Sequence, residues 1–350
     1  MKYLLWGIPA LILAGIIGIG LGTWYANSQT DEPAAIETKI PPAPEVQPGS
    51  SEETAQEIEG ESLFKVHDEI VVDWASNPMV IETDGESLTL AYESRSTQLK
   101  FAPQDKVKLI YSEDGVTFEE IENENTEPPR PPGVQIRDNL WRRYTFQPGK
   151  GGVMSSSSVD GETYVDDGVI VFEAHAEDAS DAREFGVYTY FMDDQGGVVM
   201  LFNKTDEAGD IVVDRAYAEP ESEGLAFTLM EEDILAGTLE HAIYADPNAI
   251  VMNDGTIFLI IMNQSDAPKP PLGKQGIIHG YTSNNYGETF EYYGQLISYE
   301  DVHLMEAFSL NDPKIVAFND GTLRLYVAAM NEEETSETGY KWTIVTAESQ

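Results

Sequence analysis

Cysteine is absent from all 350 residues, so a disulfide framework, a thiolate metal site and a cysteine nucleophile are all closed to this chain. Histidine is scarce: His67, His175, His241, His279 and His303 are scattered, with no pair at zinc-ligand spacing. Basic charge is the third shortage. Only 20 lysines and arginines stand against 62 acidic residues, a formal net charge of −42 at pH 7. Such a field repels nucleic acid and anionic lipid headgroups, so neither is expected as a partner. It suits a protein kept soluble outside the cell. No G-x-S-x-G occurs, so a serine nucleophile has no support either.

What is present begins at the amino terminus. Leu4 to Ala26 carries no charge, and its 23 residues would make a helix of about 34 Å, enough to cross a hydrocarbon core of roughly 30 Å. Trp6 lies near one end and Trp24 with Tyr25 at the other, as interfacial aromatics do. Lys2 precedes the stretch and Asp31 and Glu32 follow it, which orients the amino terminus inward and the remainder outward. The reading is a retained membrane anchor over residues 1–26, with the helix at 4–26. Its rival is a cleaved signal peptide and a secreted product, against which Trp24 spoils a small-residue cleavage site at Ala26. Gly18 and Gly22 form a G-x-x-x-G within a glycine-rich stretch. Residues 27–61 hold Pro33, Pro41, Pro42, Pro44 and Pro48 among Ser, Glu and Gln. They read as a disordered, extended linker that holds the following domain away from the membrane.

From residue 62 to 350 the texture changes to short β-branched and aromatic runs broken by Gly, Asp and Asn. EHAIYADPNAIVMNDGTIFLIIM, from Glu240, aligns without gaps on EAFSLNDPKIVAFNDGTLRLYVA, from Glu306, at an offset of 66 residues. NPMVIETDGESLTLAY, from Asn77, is a third copy, one residue shorter before Asp84-Gly85. Repeats of this length signal a propeller, solenoid or array. In the second unit Pro247–Asn253 reads as a strand, Asp254-Gly255 as a tight turn and Thr256–Met262 as the next strand. Gly276–Thr282 and Glu291–Ile297 supply two more strands. Four antiparallel strands per unit make a propeller blade.

A short turn also recurs: SEDGVTF at 112–118, SVDGETY at 158–164 and SNNYGETF at 283–290. Within it the Asp or Asn oxygen is suited to accept backbone N–H bonds, and Gly supplies the backbone position closed to other residues. It resembles the Asp-box of sialidases and related β-propellers, S-x-D-x-G-x-T-W/F. Ser283, Asn285, Gly287, Thr289 and Phe290 match with Asn in place of Asp. Ser112, Asp114, Gly115, Thr117 and Phe118 match a version one residue shorter, as do Ser158, Asp160, Gly161, Thr163 and Tyr164. SEGLAF at 222–227 is a worn copy. In that family the box is architectural and lies away from the ligand face. The resemblance implies an all-β, sialidase-like propeller of four-stranded blades.

Box starts at 112, 158, 222 and 283, with the next due at Ser349, mark five units, the last lacking its fourth strand. Since a propeller must close to hide its sheet edges, the expectation is a six-bladed ring cut short at the carboxyl end. The alternative is a five-bladed ring in which the strand near Lys65–Asp73 pairs beside Trp342–Ala347.

Loops entering the innermost strands surround the axis of a propeller. Asp246 and Asp312, with Asn77 as their equivalent, are expected around that pocket, with Glu240 and Glu306 in the loops before them. Clustered carboxylates are what glycoside hydrolysis needs; the competing reading is that Asp before Pro only shapes a turn. Five-bladed glycosidases such as invertases and arabinanases resemble this chain in beginning inner strands with catalytic Asp-Pro. The span SNPMVIETDGESLTLAYESRS is similar to the sialidase first blade, in which R-I-P precedes G-t-L-l-A-f-x-E-x-R. There the arginine that grips the substrate carboxylate is replaced by Ser76, a hydroxyl that cannot act as a guanidinium fork. The resemblance makes Asp105 the nearest candidate for the family's acid/base aspartate.

Five of the eight arginines, Arg95, Arg130, Arg137, Arg142 and Arg143, fall between residues 95 and 143. Arg95, Arg142 and Arg143, with Trp141 or Tyr144 to stack on a ring, form a candidate site for a carboxylated or sulfated sugar. The competing reading pairs these arginines with carboxylates along a blade edge. No cofactor is implied; Asp166-Asp167 and Asp193-Asp194 could hold calcium, but their spacing is not diagnostic. Two functions follow: a membrane-tethered glycan-recognising propeller acting as a glycoside hydrolase, or a non-catalytic scaffold that binds protein or polysaccharide through its axial face.

Overall fold

Strand-forming runs separated by Asp-Gly and Asx turns fold as five antiparallel sheets, each of four strands. The computed structural model describes residues 62–95, 107–122, 130, 133–147, 150–173, 187–206, 210–239, 243–264, 276–333 and 340–350. The expected anchor at 4–26 and linker at 27–61 lie outside these residues. Among the described residues no helix is long and apolar enough to cross a membrane.

Blade 1 comprises β2 (Ala75–Thr83), β3 (Leu88–Ser94), β4 (Val107–Ser112) and β5 (Glu119–Ile121). Blade 2 is β6 (Val134–Arg137), β7 (Leu140–Gln147), β8 (Gly152–Ser158) and β9 (Val165–Glu173). Blade 3 is β10 (Tyr188–Met192), β11 (Val198–Thr205), β12 (Ile211–Ala218) and β13 (Thr228–Glu231). Blade 4 is β14 (Tyr244–Val251), β15 (Ile257–Asn263), β16 (Ile277–Ser283) and β17 (Glu291–Ile297). Blade 5 is β18 (Ala307–Ala317), β19 (Leu323–Glu332), β20 (Tyr340–Ser349) and, on its outside, β1 (Phe64–Asp73).

That last pairing corrects the blade count. The ring has five blades, not six, and the fourth strand missing from the last unit is supplied by β1. The two strands run antiparallel from Phe64 opposite Ser349 to Asp73 opposite Thr343. Asp73 locks the joint, pairing with Lys341 at 2.7 Å and accepting from Thr343 Oγ1 at 2.9 Å. Ser349, expected to open a fifth box, ends β20 instead, and its hydroxyl accepts from Leu323 N at 3.1 Å. Without β1, one side of β20 would present unpaired backbone donors and acceptors.

Apolar layers fill the gaps between neighbouring blades. Phe258, Ile260, Leu310, Leu325 and Val345 pack between blades 4 and 5, and Leu88, Leu90, Tyr326 and Ile344 between blades 5 and 1. Middle strands are covered on both faces, which is why β15 reads IFLIIM without alternation. Each fully buried Leu or Ile side chain contributes about 1.5–3 kcal/mol.

The recurring turns share one hydrogen-bond pattern. Asp114 Oδ1 accepts from Val116 N and Thr117 N at 2.8 Å, and from Ser112 Oγ at 2.9 Å. Asp160 Oδ1 accepts from Glu162 N and Thr163 N at 2.9 Å. Asn285 Oδ1 accepts from Thr289 N at 3.1 Å, and its amide donates to Thr289 Oγ1 at 2.9 Å. Neighbouring blades hold these turns. Tyr326 donates its hydroxyl to Gly115 O at 2.7 Å, carrying a bond from blade 5 to blade 1. Tyr144 makes the same bond from blade 2 to Gly224 O in blade 3, at 3.0 Å.

Candidate functional site

Three inner strands open with the same backbone device. Asn77, Asp246 and Asp312 have φ of 50°, 53° and 54°, each directly before a proline. The ladder skips at each: between Ser76 and Met79, between Ala245 and Asn248, and between Asn311 and Lys314. A left-handed conformation costs an L residue about 1–2 kcal/mol, least for Asn and Asp, and proline has no N–H to give the ladder. The result is a bulge that takes these side chains out of the alternation of their strands.

The bulges bring charged groups of blades 4, 5 and 1 together at one end of the ring. Asp312 N donates to Asp246 Oδ2 at 3.4 Å, so the carboxyl of blade 4 reaches the backbone of blade 5. Two residues beyond Asp312, Lys314 is 7% exposed and donates to Pro313 O at 3.0 Å. On blade 1, Glu93 is also 7% exposed, pairs with Arg95 Nη2 at 3.1 Å and takes a hydrogen bond from the Asn77 side chain. Arg95 Nε donates to Ser76 Oγ at 2.6 Å, and Arg95 N to Trp74 O at 2.7 Å. The hydroxyl at 76, where the sialidase motif has its arginine, thus serves to hold an arginine from β3's end. Below this layer the inner strands are tied directly: Asn248 Oδ1 accepts from Ile315 N at 2.9 Å and Thr189 Oγ1 from Ala249 N at 3.3 Å.

Asp246 and Asp312 are each half-buried. Burial raises the Asp312 carboxyl to about 7; Asp246 and Glu93 add to the rise, while Lys314 and Arg95 oppose it. Burial also raises Asp246, against the opposing pull of Lys314 and of the Asp312 N–H. Lys314 is lowered by burial, with the two aspartates working against that. Burial raises Glu93 too, opposed by Arg95 and the Asn77 hydrogen bond. One end of the hub therefore holds a carboxyl that changes charge near neutral pH beside a second carboxyl, the equipment of acid–base catalysis.

Other expected site residues lie elsewhere. Glu306 is exposed in the loop before β18, beside a shallow depression lined by Tyr299, Val302, His303 and Met305. Glu240 and Asp105 lie outside the described residues. Of the arginine cluster, only Arg95 joins the hub. Arg142 is buried, pairs with Asp167 at 2.7 Å and donates from Nε to Glu223 O of blade 3's turn. Arg215 does the same one blade further on, to Tyr286 O at 3.1 Å with Glu231 as its ion pair at 2.8 Å. Glu223 and Tyr286 both have positive φ, of 49° and 54°, before the turn's glycine. This is repeated architecture, so the sugar-binding expectation for Arg142 gives way to blade packing. Tyr144 is buried and used in the same clamp, and Trp141 lies against Gly161 of its own blade's turn. Arg143 stacks over the Tyr164 ring at 3.8 Å. The four residues of WRRY open β7 at the end of the blade that carries the turns, away from the hub carboxyls.

The acidic turns weighed for calcium are already engaged. Asp167 accepts from Ser157 Oγ at 2.6 Å besides pairing with Arg142. Asp193 accepts from Gly197 N at 2.7 Å and from the Tyr217 hydroxyl at 2.6 Å. Among the described residues no group of three or more His, Asp or Glu side chains is placed to hold a metal ion. Sequence reasoning missed Lys314 and Glu93. Neither carries a motif; Lys314 is marked only as the charged residue at a repeat position where the other copies have Met79 and Asn248.

No protein-family model and no curated protein matches the chain. Solved structures do. The catalytic domain of the Coprinopsis cinerea GH62 α-L-arabinofuranosidase superposes with a TM-score of 0.53 at 8% identity, covering 83% of this chain and 97% of that one. A Podospora anserina α-L-arabinofuranosidase in complex with cellotriose gives 0.51 at 9% identity, over 82% and 96%. A GH62 hydrolase in complex with xylotriose gives 0.50 at 8%, over 83% and 98%. At such identities the likeness is one of fold: this chain shares the propeller architecture of those glycoside hydrolases.

Proposed function

We propose that this protein acts on glycans as a glycoside hydrolase through the axial end of its propeller, with Asp246 and Asp312 as the working carboxyls. One observation carries the reading: two aspartates on adjacent inner strands share a hub, Asp312 N donating to Asp246 Oδ2 at 3.4 Å, where burial raises both carboxyls. Hydrolysis needs one carboxyl that gives a proton to the glycosidic oxygen as the C–O bond breaks. It needs a second, ionised, that takes a proton from the attacking water or itself attacks the anomeric carbon. Asp312 fits the first role and Asp246 the second. Similar folds solved with cellotriose and xylotriose support an oligosaccharide as the ligand class. The exo-sialidase chemistry implied by the first-blade resemblance would require Arg95 to replace the arginine absent at 76. We therefore hold to the broader class.

The second reading, a scaffold that binds polysaccharide or protein at the same end without turnover, draws on Lys314 and Arg95, which balance the carboxyls. Turnover of a fluorogenic glycoside panel, with oligosaccharide binding measured alongside, separates the two. Hydrolysis that falls roughly 10²–10⁴-fold in Asp246→Asn and Asp312→Asn supports the enzyme. Binding without turnover favours the scaffold, and turnover intact in both variants rejects the assigned residues.

The charge pattern around residues 4–26 and the Pro-rich 27–61 further lead us to place the propeller outside the cytoplasm on a membrane tether. Carbonate-resistant membrane association of the full chain with an intact amino terminus supports the tether; a mature protein starting after Ala26 rejects it.

A further inference from the structure

The location of the proton in this hub follows from a count of charge, and the inference rests on the hydrolytic reading above. The groups acting on Asp312 are Asp246 on β14, Glu93 on β3, Arg95 just beyond β3, and Lys314 on its own strand. Asn77 on β2 is uncharged and hydrogen-bonds Glu93. Among the described residues three carboxyls thus meet two cations. Glu93 and Lys314 are almost wholly shielded from water, so solvent screens the group weakly. A buried set of charges is most stable when its net charge is zero, because an uncompensated ion is strongly disfavoured away from water. Zero here requires one proton on one of the three carboxyls. Burial raises Glu93, but of the three carboxyls it alone has a cation in direct contact, Arg95 at 3.1 Å, and the Asn77 hydrogen bond also favours its charged form. The proton therefore belongs to the Asp246–Asp312 pair. Within the pair, Asp246 receives the Asp312 N–H, a bond that favours its charged form.

Lys314 is what sets this count apart from a plain repeat of blades. The positions two residues after the other bulges carry Met79 and Asn248, which bear no charge. We propose that Lys314 is a positioning residue for this site: its buried ammonium holds the Asp246–Asp312 pair at one negative charge, so that Asp312 is the acid and Asp246 the base at neutral pH. Without the ammonium, neutrality calls for a second proton, and the pair loses its base.

Infrared titration of the protonated-carboxyl band in the full-length protein tests this without any substrate. In the wild type the band is expected to fall through about pH 7, and Asp312→Asn to lack that step. Lys314→Met should move the step upward by about one pH unit or more, because an opposite charge has been removed. Lys314→Arg, which keeps the charge, should leave it near the wild-type position. A step that Lys314→Met leaves in place or moves downward overturns the proposal, as does a wild type with no neutral step. Should Lys314→Met not fold, Arg95→Gln at the more exposed edge of the hub takes its place: a smaller upward move supports the count, and an unmoved step overturns it. A protein that shows the step and its shift yet turns over no glycoside rejects the hydrolase reading and leaves the charge count standing. Turnover with an unshifted pH–rate profile in Lys314→Met does the reverse.

Discussion

Replacing Asp312 by Asn should stabilise the protein in neutral and alkaline solution and do progressively less as the pH falls. In the unfolded chain an aspartate binds its proton below about pH 3.9. In the fold Asp312 does so below about 7, because burial and the neighbouring Asp246 resist its charge. Between those two values the native state holds more protons than the unfolded state, so stability declines as pH rises through the window and levels off above it. Three decades of proton affinity at about 1.4 kcal/mol each set a ceiling of about 4 kcal/mol. Measurement must stay above the acid range in which so acidic a chain loses its net charge. From pH 5 to 8.5 about two decades remain, so the variant should gain roughly 2–3 kcal/mol on the wild type across that span. Urea unfolding of both proteins at four or five pH values, compared by midpoint at constant slope, reads this difference. A difference that stays flat within about 0.5 kcal/mol, or that shrinks as pH rises, would refute the placement of Asp312 as a buried, crowded carboxyl.

Three further outcomes are expected. Tyr326→Phe removes the buried hydroxyl that reaches Gly115 O at 2.7 Å and should cost about 1–2 kcal/mol in urea unfolding, without touching the hub. His279 is buried, and burial lowers it to about 4, so its contribution is present above about pH 6.5 and lost as pH falls toward 4. His279→Leu should therefore reduce the acid-side loss by about 2 kcal/mol between pH 7 and 5, seen in the pH dependence of the thermal midpoint. Arg142→Ala strands Asp167 and should cost about 3–5 kcal/mol while leaving glycan affinity unchanged in whatever fraction folds. Lost affinity at unchanged stability would return Arg142 to the ligand site.

Much of the fold was legible because a propeller repeats its instructions. The 66-residue offset between Glu240 and Glu306 revealed the repeated unit, and within it the expected strand Thr256–Met262 falls one residue from β15 at each end, whereas Pro247–Asn253 misses the first three residues of β14. The Ser-x-Asp-Gly turns located the third and fourth strands of several blades. Ring closure was harder, since β1 pairs with β20 across nearly the whole chain and β1 carries no repeat signature: FKVHDEIVVD has charges on alternate and adjacent positions alike. Such a pairing is fixed by the demand to cover an edge, not by local pattern. At the site, Asp246 and Asp312 were visible as Asp-Pro pairs. Lys314 and Glu93 were not, because a lysine or glutamate in a strand looks solvated until the neighbouring blade is known. In WRRY, two of the four residues have a structural use that the sequence did not show. Arginine beside aromatics resembles a sugar platform in sequence, but Arg142 and Tyr144 reach across to the next blade's turn.

The departures from symmetry therefore carry more functional content than the repeats. Asn77, Asp246 and Asp312 share one backbone conformation, so the strain at those bulges serves the architecture at all three and cannot by itself mark a catalytic residue. What differs is charge: a neutral amide in blade 1, a carboxyl in blade 4, and a carboxyl with a buried lysine two residues later in blade 5. A bulge that needed only a turn-forming side chain would accept Asn everywhere, as blade 1 shows. Retaining two carboxyls side by side in a poorly solvated hub raises the free energy of the charged state unless cations accompany them, and Lys314 and Arg95 do so from blades 5 and 1. A purely structural hub would gain by losing all of these charges together. Their joint presence on three adjacent blades is the physical ground for placing chemistry there.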